Sequence, residues 1–190
     1  MKNEKKKLRK AIRNILMDMD RSDYLKESRA IKKNLFETDV WKRSDIIGVT
    51  ISIFPEVDTY ALIEQAWKMG KTVAVPKCIP ATKEMIFFQI QYFNELEKGY
   101  FGLFEPDEEK VEAIEKEKIQ LLIVPGVVFS RNGHRIGQGG GYYDRFLQNF
   151  RGKRISLAFQ DQIVDDIPVE KHDERVELIV TEKEVIDCGN

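Results

Sequence analysis

Apolar residues return every three or four positions at the start of the chain. Leu8, Ile12, Ile15, Leu16 and Met19 form one stripe over residues 2 to 19, and Leu25, Ile31, Leu35 and Phe36 form another over about 23 to 37. Both stripes predict amphipathic helices. The pattern then shortens. Ile46 to Ile53 is rich in β-branched residues and predicts a strand. Asp58 or Thr59 can cap a helix that runs to Met69, and Gly70 ends it. Thr72 to Val75 predicts a short buried strand stopped by Pro76, and Met85 to Tyr92 another, at a sheet edge. Turn signals at Gly99, Gly102 and Pro106 make Glu95 to Lys110 a loop. A short charged helix over Val111 to Lys118 is followed by a central strand at Gln120 to Val124. A helix from Tyr142 to about Phe150 and strands at Arg154 to Phe159 and Leu178 to Thr181 complete the chain.

Strands alternating with helices, several of them continuous apolar runs, predict an α/β fold. It should be a three-layer sandwich around a mainly parallel, Rossmann-like central sheet. The 190 residues should form a single domain, 1–190. In such sheets ligands bind beyond the carboxyl ends of the strands. Ser52–Glu56 and Pro125–Gly141 both follow strands, so both are expected on that rim.

Composition narrows the function. The 31 basic and 32 acidic residues nearly cancel, so charge alone implies no nucleic-acid partner. No apolar stretch approaches the roughly 18 residues of a membrane span, and no signal-peptide core follows the basic start. A cytoplasmic protein without membrane association is expected. Cys78 and Cys188 are isolated, and the histidines are His134 and His172 alone, so neither zinc nor a His-rich metal site is expected.

The most informative segment runs from Pro125 to Leu147 and holds six of the twelve glycines. It lacks GxxxxGK[ST], and GxGxxG fails because Tyr142 stands where a third glycine would follow Gly137 and Gly139. Another kind of anion-binding loop remains. Gly137, Gly139, Gly140 and Gly141 allow positive φ and close backbone approach, and a following helix would aim N–H groups at the same spot. Asp144 could bind Mg²⁺, a hard cation that takes oxygen ligands. The competing reading is a flexible surface loop with a capping aspartate. The aromatic and charged pairs directly after the glycines speak against it, because flexible linkers favour small polar residues.

Seven of the first 13 residues are Lys or Arg. A solvated helix face would explain that by itself. At about 100° per residue, however, Lys5 falls inside the apolar stripe and Arg9 at its border, whereas Lys7 and Lys10 point to solvent. A lysine held against the protein needs a partner. An anion reaching in from the glycine loop would supply one, so Lys5 and Arg9 are expected to grip nucleotide phosphate.

The residues also carry a resemblance. Arg135-Ile-Gly-Gln-Gly-Gly-Gly-Tyr-Tyr-Asp-Arg-Phe-Leu147 resembles the signature of the 5-formyltetrahydrofolate cyclo-ligase family. Val124–Phe129, Lys5-x-x-Leu8-Arg9 and Ile51–Thr59 are similar to it too, so the likeness spans nearly the whole chain. Gln138 departs from the pattern, since bacterial members often carry an aromatic residue there. Stacking and hydrogen bonding both stay open for that position.

The resemblance implies an ATP-dependent ring closure of 5-formyltetrahydrofolate to 5,10-methenyltetrahydrofolate, with Mg²⁺ as cofactor and ADP and phosphate released. It implies ATP contacts at Lys5, Arg9, Arg135, Ile136, Gly137, Gln138, Gly139, Gly140, Gly141, Tyr142 and Tyr143. Folate contacts are implied at Ile51, Glu56 and Gln138 through Tyr142, magnesium ligands at Asp144 and Asp173, and catalytic roles for Glu56 and Arg145. Each has a plainer reading: a turn carboxylate for Glu56, a solvated charged run for Asp173, core packing for Tyr142 or Tyr143. Phe54, Tyr100, Phe101 and Phe104 are candidates for a folate wall or for ordinary anchoring. A monomer is expected, and Asp144→Asn should preserve the fold while losing Mg²⁺-dependent turnover. The alternatives are a binding protein without turnover, a kinase or acyl-activating enzyme with another acceptor, and an RNA-binding module. The last lacks Arg-Gly repeats and RNP patterns.

Overall fold

The computed structural model describes residues 1–99 and 102–189. Tyr100 and Phe101, two of the folate-wall candidates, lie outside the described residues.

Three helices open the chain: α1 (Lys2–Met17), α2 (Arg21–Glu37) and α3 (Asp39–Arg43). Asp20 caps α2 by accepting the Ser22 N–H at 2.7 Å. Strand β1 (Ile46–Gly48) leads to α4 (Tyr60–Lys68), which ends before Gly70 at φ 74°. Next come β2 (Thr72–Ile79), β3 (Glu84–Ile90), β4 (Leu96–Lys98), β5 (Phe104–Pro106), β6 (Ala113–Ile114) and β7 (Leu121–Ile123). The glycine segment carries β8 (Val128–Ser130) and β9 (Arg135–Ile136) and enters α5 (Tyr142–Leu147). The chain closes with β10 (Lys153–Leu157), β11 (Ile163–Val164), β12 (Leu178–Val180) and β13 (Val185–Asp187).

The main sheet has the order β13-β12-β10-β7-β1-β2-β3-β6. Pairing from β12 through β2 is parallel, and β13, β3 and β6 join antiparallel at the two sides. The fold is therefore α/β with a mixed, mostly parallel eight-stranded sheet. One face carries Ile47, Val73, Leu121, Ile123 and Ile155 against Ile12, Leu16, Ile31, Leu35, Trp41, Leu62 and Ile63 of α1 to α4. The other carries Ala74, Phe87, Leu122, Val124 and Ile179 against Leu147 of α5 and Phe150. Both faces are covered, so β7 is an unbroken apolar run rather than an alternating one.

Several local expectations are corrected. Pro76 does not stop β2, which continues to Ile79. The Thr72 N–H bonds Asp45 O and the Val49 N–H bonds Ala74 O, so even-numbered residues of β2 face β1. Strand β1 ends at Gly48, and the missing N–H of Pro76 therefore points where no ladder partner is needed. Beyond Val49 the chain leaves the sheet, because side chains bond its backbone instead. Ser52 and Thr59 exchange backbone-to-hydroxyl bonds at 2.9 Å each, and the Thr59 hydroxyl donates to Thr50 O at 2.7 Å. The predicted loop over 95–110 contains the β4–β5 hairpin, and 111–118 forms an edge strand and a 3-10 turn rather than a helix. Ala113 of this charged segment pairs with Phe88 across the edge. The elements α3, β11 and β13 were not anticipated.

The glycine segment is not loop throughout. Its first half is a β8–β9 hairpin turned at Asn132-Gly133 and joined by β11. Asn-Gly between two short strands, here ending at Ser130 and starting at Arg135, is a hairpin signal that could have been read from the sequence. Gly133 has φ 87°, and a Cβ there would lie 2.3 Å from Val176 O. Gly133→Ala is expected to cost about 1–3 kcal/mol, read as a lower midpoint in urea unfolding at unchanged slope.

Candidate active site

The rim at the carboxyl ends of β1 and β7 holds the expected segments. A cavity of ≈ 30 Å³ is lined by Thr50, Ser52, Glu56, Val57 and Thr59 from one and Ile123 to Gly126 from the other. Ile51 is buried beside it. The Phe54–Pro55 peptide is cis. After it the Glu56 N–H bonds Ile53 O, and the Glu56 carboxylate accepts the Ile53 N–H at 3.0 Å. Tyr24 of α2 donates to Glu56 O at 2.9 Å and meets Phe54 edge-on at 5.1 Å between ring centres. Burial raises the Glu56 pKa above the ordinary carboxylate value, against the Ile53 N–H, the Gln138 amide and Arg13, which favour the ionised form.

Helix α1 docks on the glycine loop through a line of polar side chains. The Arg9 Nε donates to Gly137 O at 2.6 Å. Arg13 donates to Gln138 Oε1, and Gln138 Nε2 faces Glu56 Oε1 at 3.5 Å. The amide of Gln138 therefore makes hydrogen bonds in this structure, and α1, the glycine loop and the β1 rim loop meet at one point. An open groove of ≈ 360 Å³ runs along the same place, lined by Lys6, Arg9, Lys10, Arg13, Asn14 and Gln138. Lys7 and Lys10 are both exposed, as expected, and Lys10 also borders this groove.

Lys5 is buried, at 8% exposure, as its place in the apolar stripe required. Its partners in this structure are two carboxylates. Lys5 Nζ lies 2.9 Å from Glu170 Oε2 and 2.6 Å from Asp173 Oδ2. Burial would raise the Asp173 pKa, but Lys5 and the Glu170 N–H outweigh it and hold the carboxyl below its ordinary value. The charged run at 170–174 is thus partly folded inward.

Below the loop, Arg135 is buried and pairs with Asp144 at 3.0 Å. The same Asp144 oxygen accepts the Glu174 N–H at 3.3 Å. Tyr143 lies beneath Arg135, with the guanidinium carbon 6.0 Å from its ring centre. The Tyr143 hydroxyl and the Arg135 Nε are buried without a hydrogen-bond partner among the described residues. Tyr142, the first residue of α5, packs partly buried against the core. Arg145 is exposed and donates to the carbonyls of Gly140 and Gly141, at 3.3 and 3.1 Å. Gly141 begins α5 at φ 70°, a left-handed conformation that suits glycine. Ile136 is buried in β9, and Gly139 and Gly140 are exposed at the tip.

Two carboxylates outside the sequence reading also belong to this neighbourhood. Glu170 clasps Lys5, as described. Glu105 of β5 is 3% exposed and accepts the Cys78 N–H at 3.1 Å. Burial, then the Glu105 charge, pushes the Cys78 thiol up to about 11. Burial likewise takes Cys188 to about 11. Both thiols stay protonated near neutrality and should react slowly with iodoacetamide at pH 7.5 until the chain is unfolded. Rapid native labelling of either would contradict the burial seen here.

A glycine loop and a cation-lined groove thus sit at the carboxyl rim of a mostly parallel sheet in an α/β protein. Comparison with known proteins says which. The model of the 5-formyltetrahydrofolate cyclo-ligase family matches residues 1–182. The chain belongs to that family and is an enzyme of its kind, a ligase acting on folate in one-carbon metabolism. It is 28% identical to the 5-formyltetrahydrofolate cyclo-ligase of Haemophilus influenzae over 175 residues, covering 90% of this chain and 93% of the relative. The Escherichia coli K12 cyclo-ligase is 33% identical over 143 residues, covering 73% of this chain and 79% of that protein. The solved structure of Aquifex aeolicus 5,10-methenyltetrahydrofolate synthetase superposes with a TM-score of 0.87 at 29% identity, over 98% and 93% of the two chains. No helix among the described residues is long and apolar enough to cross a membrane.

Proposed function

We propose that this enzyme closes the ring of 5-formyltetrahydrofolate at the expense of ATP through a phosphorylated formyl group. The formyl oxygen attacks the γ-phosphorus, and ADP leaves. The resulting imidate phosphate makes the formyl carbon electrophilic. N10 then bonds to that carbon, loses its proton, and phosphate departs, giving 5,10-methenyltetrahydrofolate. Such chemistry needs positioning and charge neutralisation more than covalent help from the protein.

The observation that carries this reading is the line Arg13–Gln138–Glu56. It joins a cation-lined groove, suited to phosphates, to a half-buried carboxylate, suited to pterin N–H groups. Arg9 and the backbone of Gly137 to Gly141 would face the triphosphate. Lys5 would join them once released from its carboxylates. Glu56 would accept from the folate and hold N5 and N10 in a reactive geometry. Ile51 and Tyr142 would flank the folate, and Arg145, Arg135 and Tyr143 would support the loop from its own side. Phe54 and Phe104, 37% and 44% exposed, are available to contact the ligand.

The residues fit Mg²⁺. Asp144 uses Oδ1 for Arg135 and Glu174, and Asp173 uses Oδ2 for Lys5 and Glu170; the other oxygen of each makes no hydrogen bond among the described residues. Hard carboxylate oxygens are what this cation takes. Asp144 and Asp173 would hold it, and it would neutralise phosphate charge.

The test follows methenyl absorbance and ADP together in a mixture of protein, 5-formyltetrahydrofolate and MgATP. Equal production of both, lost on removing Mg²⁺, is expected. ADP without methenyl product would point to another acceptor, and ATP binding without either product to a binding protein.

A further inference from the structure

Each of the two proposed metal ligands already has a cationic partner, and the two cations differ in freedom. Arg135, the partner of Asp144, is a side chain 3% exposed beneath the loop. It cannot leave without opening the core. Lys5, the partner of Asp173, ends a long flexible stem on α1, next to the groove that Arg9 and Arg13 line. Two carboxylates hold it. Glu170 and Asp173 form a turn in which the Glu170 N–H bonds Asp173 Oδ2 at 2.8 Å and the Asp173 N–H bonds Glu170 O at 3.0 Å. Both side chains converge on Lys5 Nζ. His172 approaches the same pair, with Nε2 4.0 Å from Glu170 and 3.9 Å from Asp173. One ligand atom from each of these three residues lies within 4.8 Å of the others, the spacing of a cation site.

We infer that Glu170 is a positioning residue that parks the Lys5 ammonium on Asp173, so that Lys5 stands in for the divalent cation until nucleotide draws it away. The inference rests on the ATP- and Mg²⁺-dependent reading above. With Lys5 on Oδ2 of Asp173, a divalent cation arriving at the same carboxylate without nucleotide meets the repulsion of the ammonium at a few ångströms. A metal ion binding alone therefore pushes Lys5 off Asp173 and leaves it with Glu170. A triphosphate in the groove offers Lys5 another anion and frees Asp173. Metal and nucleotide consequently favour each other, and the coupling is reciprocal. The arrangement also explains why a lysine lies in the apolar stripe of α1: it must reach two different anions from one fixed helix.

The test measures each ligand alone with the full chain, so that no turnover is needed. Mn²⁺ binding without nucleotide is followed by electron paramagnetic resonance, and ATP binding in the presence of chelator by calorimetry. Lys5→Met keeps the stem and removes the charge. It should bind Mn²⁺ alone about 5-fold more tightly or better, within the usual range of coupling between sites, and bind ATP more weakly. Glu170→Gln loosens Lys5 without removing it and should bind metal-free ATP several-fold more tightly. A merely structural clasp would predict weaker binding of everything in both variants, or lowered Tm alone. Either of those results overturns the inference. So does unchanged metal-free ATP affinity in Glu170→Gln, which decides the matter if Lys5→Met does not fold. A wild-type protein that bound neither Mn²⁺ nor ATP would remove the functional reading itself, and this inference with it.

Discussion

Glu56→Gln is expected to lower kcat/KM for 5-formyltetrahydrofolate by about 10- to 100-fold while leaving the KM for ATP within about twofold. A hydrogen bond to a charged group contributes roughly 1.5–3 kcal/mol, which converts to that range of rates. Glutamine keeps the shape and can still accept the Ile53 N–H, so the rim loop should hold. What it loses is the charge that, on the proposed reading, would face the pterin. The pH dependence follows the same group. Burial raises the Glu56 pKa, so its ionised fraction starts to fall at a higher pH than for an ordinary carboxyl group. The acid limb of kcat/KM should be displaced upward in wild type and flattened in Glu56→Gln. Stability runs the other way. The folded state binds this proton more tightly than the unfolded chain, so Glu56 favours folding more as pH falls from its raised pKa towards the ordinary one. A variant whose ATP affinity fell while folate use persisted would place Glu56 in the nucleotide half of the site.

Asp144→Asn should abolish most Mg²⁺-dependent turnover and destabilise the protein as well. From sequence alone the fold is expected to be preserved. The ion pair with Arg135 adds a cost in stability to that expectation. Removing one partner of a buried pair strands the other charge and costs about 3–5 kcal/mol. Asp144 keeps 20% side-chain exposure, so the lower end applies. For a chain of this length that corresponds to a Tm lowered by about 6–12 °C. The double variant Asp144→Asn/Arg135→Met removes both charges and should recover much of the stability without recovering the metal dependence. A single variant with unchanged Tm and normal activity at limiting Mg²⁺ would take Asp144 out of both roles.

Residues that work through local backbone chemistry were legible before any fold was known. The stripe Leu8–Ile12–Leu16 placed Lys5 inward, and Lys5 is buried. Continuous apolar runs at Ile46 and Leu121 marked parallel strands covered on both faces. The glycine cluster marked a backbone that must bend sharply, and Gly139 and Gly141 do take positive φ. Misread elements were those whose state depends on distant neighbours. Pro76 is tolerated in β2 because β1 stops beside it, and Ala113 becomes an edge strand because Phe88 lies next to it. The sequence contains neither fact.

By itself, then, the sequence determined the α/β class, the glycine loop, the burial of Lys5 and the family likeness, because these follow from side-chain periodicity and short-range conformational freedom. Only the tertiary structure decided who partners whom. Lys5 meets Glu170 and Asp173 across 165 and 168 positions, and Gln138 meets Glu56 across 82. Such pairs depend on where the sheet and helices bring distant segments together, and a buried charge accepts whichever counter-charge the packing delivers.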